Sequence, residues 1–276
     1  MNELVLRWKG SVAGFLARSS FSPRALRTLA KTHLPKSANY FSYNQNKINK
    51  ILQQLADDLS KQTFSELILC RTDRTLPTIC EKTTQYFPPG ILQLGPKETF
   101  VDCGAFTGDS LINFQQFCHH QYDQIVAFEP EPTLFAKLKQ NNFSSCTYIN
   151  GGVWHQNKQL PFLALGSAGS RLEMADTSGD CPPSKLIQVP VYKIDDIAAC
   201  RNVTFLKMDV EGAELNALKG AEKTIRKNKP KLAVCIYHSD RDMLEIPCWI
   251  LSLNLGYKLY VRHYSNDLWE TVLYAV

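Results

Sequence analysis

The chain reads as an α/β protein: a mostly parallel sheet, closed by an antiparallel C-terminal hairpin and preceded by a helical extension. Three observations predict this. From Glu98 onward, strand-like apolar runs alternate with helical patterns. Such alternation packs as a parallel sheet with helices on both faces. The last two strand-like runs, 257–262 and 271–275, are joined by too few residues for a helix, which forces an antiparallel pair. Before residue 98 there is no such alternation, and apolar residues fall at helical spacing instead.

The first 40 residues hold seven basic groups (Arg7, Lys9, Arg18, Arg24, Arg27, Lys31, Lys36) and one acid, Glu3. Their sum is +6 against +5 for the whole chain, which leaves −1 for residues 41–276. Apolar residues Leu4, Val5, Leu6, Trp8, Val12, Phe15 and Leu16 interleave with these charges. We expect one or two helices capping the rest of the molecule. The same pattern suits weak docking on an anionic membrane or a protein partner, or a targeting segment rich in Arg and Ser. The apolar stretch 11–17 is short and broken by glycine, a weak secretory signal.

Next, Ile48, Ile51, Leu52, Leu55 and Leu59 give one apolar helical face. Thr63, with Glu66 three residues on, reads as a capping box for a short helix through Cys70. Phe87-Pro88-Pro89-Gly90 then breaks the pattern. The expected division is an accessory helical region, 1–97, and an α/β domain, 98–276. Strands are expected at 99–103, 124–129, 146–150, 187–192, 203–209, 231–237, 257–262 and 271–275, and helices at 108–118, 132–141, 213–227 and 241–254.

Composition narrows the class. Hydrophobic content of 44% and charge of 21% are ordinary for a globular protein. No apolar run approaches the roughly 20 residues of a membrane span. The nine cysteines are scattered without a C-x-x-C pair, against a disulfide framework or zinc site and for a reducing, cytoplasmic setting. A body near neutrality carries no nucleic-acid footprint.

The chemistry concentrates at predicted strand ends. Val101-Asp102-Cys103-Gly104-Ala105-Phe106-Thr107-Gly108 runs from a strand through a carboxylate into a glycine turn opening a helix. The second strand ends on Glu129-Pro130, whose carboxylate suits ribose hydroxyls. This is a nucleoside pocket. A dinucleotide fingerprint needs glycine at 106 and a small residue at 109, where Phe106 and Asp109 stand. Asp109 in the first helical turn repels a pyrophosphate. The turn therefore suits S-adenosylmethionine, with Asp102 meeting its ammonium group. Asn150-Gly151-Gly152-Val153-Trp154 allows close approach, with Val153 or Trp154 against the adenine. Lys207-Met208-Asp209-Val210-Glu211-Gly212-Ala213-Glu214 packs three carboxylates into six residues, with Glu214 read as a helix cap. His238, at the end of another strand, is a candidate general base.

These segments resemble the FkbM family of S-adenosylmethionine-dependent methyltransferases. The likeness runs through Leu218-Lys219-Gly220-Ala221, Tyr237-His238, Leu255-Gly256-Tyr257 and 270–275, covering about residues 98–276. It implies a Rossmann-like class I methyltransferase fold and methyl transfer to a hydroxyl oxygen of a small molecule or glycan. It also implies that Asp102, Gly104 and Ala105 line the methionine end of the cofactor, Glu129 the ribose, and Gly152 and Val153 the adenine, with Gly108 and Pro130 among the cofactor-binding residues. By the same resemblance Asp209 would sit under the sulfonium and the substrate. Many members carry Asn where this chain has Phe106.

The catalytic candidates are Asp209, Glu211 and His238, each able to take the acceptor's proton. A divalent metal on Asp209 and Glu211 would find only two or three oxygen ligands, so no metal is expected. Two other classes share the layout. A non-catalytic S-adenosylmethionine-binding module would keep the pocket without turnover. A nicotinamide oxidoreductase is disfavoured by Phe106 and Asp109. Acceptor specificity is expected in 155–186, the N-terminal helices and Arg262-His263-Tyr264; acceptor identity and oligomeric state are not legible.

Overall fold

The computed structural model describes residues 38–167, 169–172 and 185–276. The basic head 1–37, with its expected capping helices, lies outside them. The described chain opens with α1 (Ala38–Tyr43), α2 (Gln45–Gln54) and α3 (Asp58–Asp73). Strand and helix then alternate through β1 (Thr99–Cys103), α4 (Asp109–Phe117), β2 (Gln124–Phe128), α5 (Pro132–Gln140) and β3 (Cys146–Ile149). Four strands follow: β4 (Gly152–Val153), β5 (Lys158–Leu163), β6 (Arg171–Leu172) and β7 (Leu186–Tyr192). The remainder is β8 (Phe205–Met208), α6 (Glu214–Gly220), α7 (Glu222–Asn228), β9 (Lys231–Cys235), α8 (Asp240–Ser252), β10 (Leu259–His263) and β11 (Thr271–Ala275).

Two compact units divide the chain: Leu92–Val234, and the stretch ending at Ile91 joined to Cys235–Val276. This differs from the expected split into 1–97 and 98–276, because the C-terminal hairpin groups with the N-terminal helices.

The first unit is built on a parallel sheet in the order β9-β8-β1-β2-β3. All five residues of β1 are buried, as a parallel strand covered on both faces demands. Phe100 is stacked on Phe114 of α4, ring centroids 4.5 Å apart, and on Phe205 of β8 at 4.9 Å. A second, four-stranded sheet runs β4-β7-β5-β6. The strand expected at 187–192 belongs here rather than to the parallel sheet, antiparallel to β5. Its partner β5 opens on the exposed polar pair Lys158-Gln159 and contains Pro161, which cannot donate to a ladder, so only a short apolar stretch is left to mark it. The helix expected over 213–227 is broken at Ala221. The Asp195 carboxylate accepts the N–H groups of Lys223 (3.2 Å) and Thr224 (2.8 Å), starting α7 afresh.

In the second unit, β10 and β11 form the expected antiparallel hairpin. The Ile236 N–H, just past β9, donates to Thr271 O at 3.0 Å. Helix α3 is tied to β10: Ser60 Oγ accepts from Val261 N–H (3.0 Å) and from Arg262 (2.9 Å), and Arg262 also reaches the Asp57 carboxylate at 2.6 Å. Asp57 itself caps α3 by accepting the Ser60 N–H. Burial pushes the Asp57 carboxyl up, but the bonds from Arg262 and Ser60 outweigh it and bring it down to about 2. The expected Thr63–Glu66 capping box is therefore absent. Helix α3 is capped at Asp57, well before Thr63, so Thr63 is buried inside it, and Glu66 instead takes the N–H groups of Thr78 (2.7 Å) and Ile79 (3.0 Å). Leu59 does not join the apolar face of α2. That helix ends at Gln54, and Leu59 stands exposed on α3.

Candidate functional site

The carboxyl ends of β1, β2 and β8 and the loop after β3 converge in the first unit, held by backbone bonds. Gly104 and Ala105 donate to Phe128 O at 3.0 and 2.9 Å, and Asp209 N–H donates to Cys103 O at 3.0 Å. Gly104 takes φ +83°, and a Cβ there would lie 1.9 Å from Asp209 O. Only glycine lets the turn lie against the β8 loop this closely. Phe106 and Glu211 sit at φ +51° and +55°, a region costly for residues with side chains. Helix α4 then starts at Gly108, against which Phe143, Asn141 and Leu138 are packed.

Asp102 is fully buried. Its carboxylate pairs with Lys207 Nζ at 2.9 Å and accepts the Ser110 hydroxyl. Lys207 also donates to Gly104 O at 2.8 Å. Burial raises the Asp102 carboxyl, opposed by Lys207 and Ser110. The expected direct contact of Asp102 with an ammonium group is thus not what its position provides. Its side chain lies beneath the turn and holds Gly104 through Lys207. Lys207 and Ser110 are the partners of Asp102 that the motifs leave without a role. The signal was present in β8, where a cation stands in an otherwise apolar buried strand.

Glu129 is the second carboxylate, 5% exposed. Its Oε2 accepts the Phe106 N–H and its Oε1 the Glu131 N–H, both at 2.9 Å. Burial drives its carboxyl up to about 7, although the Glu131 and Phe106 amides and the more distant Lys207 hold it down. An ionised carboxylate has about four acceptor positions, so two remain for hydroxyl donors. These acceptor positions fit the hydroxyls of a ribose, and Asp109 in the first turn of α4 still disfavours a phosphate.

Ala105, Gly108, Gly152 and Val153 are buried, and Gly104 and Pro130 are half-buried. Trp154 is a core residue, packed with Leu160, Val191 and Ala213, and does not present its face as expected. The close approach after β3 falls at Gly151, where a Cβ would meet the Tyr192 ring at 2.5 Å. Asp209 and Glu211 are half-buried on the loop after β8. Glu214, expected to cap the following helix, is instead its first residue: the N-cap position falls to Ala213 without a side-chain bond, and the Glu214 carboxylate accepts the Val210 N–H of the preceding loop at 2.8 Å. His238 belongs to the second unit, half-buried, with its ring 4.1 Å from that of Tyr237.

The methyltransferase FkbM domain matches residues 102–259, more than half of the chain. A methyltransferase FkbM from Methylobacillus flagellatus KT is 28% identical with a TM-score of 0.73, over 87% of this chain and 61% of that one. This chain therefore spans less than two thirds of that protein. Fibrillarin of Aeropyrum pernix, with natively bound S-adenosyl-L-methionine, aligns at 15% identity and a TM-score of 0.41, over 68% of this chain and 70% of that one. No curated protein matches the sequence.

Proposed function

The chain belongs to the FkbM family of S-adenosylmethionine-dependent methyltransferases, and on that premise we propose that it methylates a hydroxyl oxygen of a small molecule or glycan. The observation that carries the reading is the Glu129 carboxylate, buried at the end of β2 with acceptor positions to spare beside the glycine turn. Glu129 would hold the ribose hydroxyls, and the turn from Gly104 to Gly108, with Gly152 and Val153, would border the rest of the cofactor.

S-adenosylmethionine supplies an electrophilic methyl group on a cationic sulfur. The protein's task is then alignment, and proximity is worth up to about 7–11 kcal/mol in well-oriented systems. Asp102 and Lys207 contribute by keeping the Gly104 carbonyl fixed. Asp209, Glu211 and His238 remain the groups proposed to take the acceptor's proton, on the strength of their motifs. Residues 98–276 are proposed as the methyltransferase portion. A cytoplasmic setting is supported by the eight described cysteines, all free. Among the described residues no helix is long and apolar enough to cross a membrane.

Isothermal titration with S-adenosylhomocysteine, using NAD as control, tests the pocket. Micromolar binding of the first and none of the second is expected, and Glu129→Ala should weaken it at least tenfold. Unchanged affinity in Glu129→Ala overturns the ribose assignment. An acceptor screen with methyl-labelled S-adenosylmethionine, begun on glycans, then tests the transfer. Activity retained by Asp209→Ala, Glu211→Ala and His238→Ala alike would remove all three as bases.

A further inference from the structure

The turn that carries His238 is held by a residue from outside the family-matched segment. Tyr237-His238-Ser239-Asp240 connects the end of β9 to α8. At its far end Ser239 caps α8, with its Oγ accepting the Asp242 N–H at 3.1 Å. Between these anchors lies the guanidinium of Arg71, near the end of α3. It donates to Tyr237 O at 2.6 Å and to Asp240 Oδ1 at 3.1 Å, the residues on either side of His238 and Ser239. A third bond, 3.2 Å to Leu268 O, ties the same group to the segment between β10 and β11.

The chemistry of the clamp is specific. Arg71 is 5% exposed, and a buried cation is tolerated only where its hydrogen-bonding capacity is used. Guanidinium offers five donors in a rigid plane, enough to bind two carbonyls and a carboxylate together, whereas a lysine ammonium offers a single nitrogen. The Tyr237 ring, which lies against His238, is itself met edge-on by Trp269 at 5.9 Å. The backbone on both sides of the imidazole and the ring beside it are therefore all fixed within the second unit.

We propose that Arg71 is a positioning residue for His238, which makes helix α3 part of the catalytic apparatus rather than an accessory. This rests on the reading of His238 as a proton acceptor. Arg71 acts through the turn and touches no reacting atom.

The test uses the full chain with isotope-labelled histidine. The His238 ring resonance and the amide hydrogen exchange of 238–240 are recorded in Arg71→Lys and Asp240→Asn, with S-adenosylhomocysteine affinity measured in parallel. The expected result is a shifted or exchange-broadened His238 signal and at least tenfold faster exchange at 238–240. The His155 signal, exchange in β1 and ligand affinity should stay within twofold of wild type. Arg71→Lys should show the larger effect, because Asp240→Asn leaves the bonds to Tyr237 and Leu268 in place. Asp240→Asn keeps the test open if Arg71→Lys fails to fold. An unmoved His238 signal in either folded variant overturns the proposal, as does a loss of protection spread evenly over both units. Full methyl transfer by His238→Ala would remove the base assignment while leaving the clamp intact, so the two failures are told apart.

Discussion

Lowering the pH from 8 to 6 is expected to weaken S-adenosylhomocysteine binding about tenfold, through Glu129. Burial raises that carboxyl to about 7 in the free protein. Ribose hydroxyls donate to the ionised form, so binding must first remove the proton. With a value near 7, about nine-tenths of the molecules are ionised at pH 8 and about one-tenth at pH 6, which sets the tenfold figure. Around pH 7 binding should release about half a proton, visible in titrations repeated in buffers of different ionisation heat. Glu129→Gln, which cannot titrate, should bind more weakly at pH 8 and show no slope. The same shift has a stability cost of known sign. A carboxyl raised in the folded state favours folding fully below its unfolded value of 4.5, and that benefit is lost as the pH rises through about 7. The loss amounts to about 3 kcal/mol, and Glu129→Gln should abolish it in denaturant titrations. A flat affinity profile between pH 6 and 8 in the wild type, or an identical slope in Glu129→Gln, would refute the reasoning.

Three further outcomes follow from the packing. Gly104→Ala places a Cβ 1.9 Å from Asp209 O at φ +83°, and should cost about 3 kcal/mol and abolish S-adenosylhomocysteine binding, read by urea unfolding and calorimetry. Lys207→Met strands the Asp102 charge in the core and should destabilise by about 3–5 kcal/mol, with much of the loss recovered by adding Asp102→Asn. Equal instability of single and double variants would sink the pairing argument. Gly220→Ala separates helix propensity from packing. Propensity alone predicts a gain of about 1 kcal/mol, but a Cβ at this site would lie 2.0 Å from Trp154 O, so thermal melting should fall instead.

Much of the first unit was legible because its signals are local. A strand buried on both faces is apolar along most of its length, which exposed β1, β2, β8 and β9. A turn that lies against another backbone must carry glycine, which marked Gly104. The carboxylate after β2 was marked by its place at a strand end. From these the sequence alone established the α/β class and the family, and it marked the carboxylate and the glycines of the candidate pocket.

Tertiary structure decided what depends on partners distant in the chain. That Asp102 pairs with Lys207 is set 105 residues along, where β8 pairs with β1. That Thr63 caps nothing follows from Asp57 having taken that role, and Glu66 is claimed by a loop 12 residues away. The small sheet appeared only when β5 met β7, since β5 pairs half-polar, proline-interrupted sequence with a strand about 30 residues on. Arg71 is the clearest case. A basic residue in a helix predicts a solvated side chain, because burying a charge is costly until several acceptors converge on it. Those acceptors come from Tyr237, Asp240 and Leu268, more than 160 residues later, and only the folded chain brings them together.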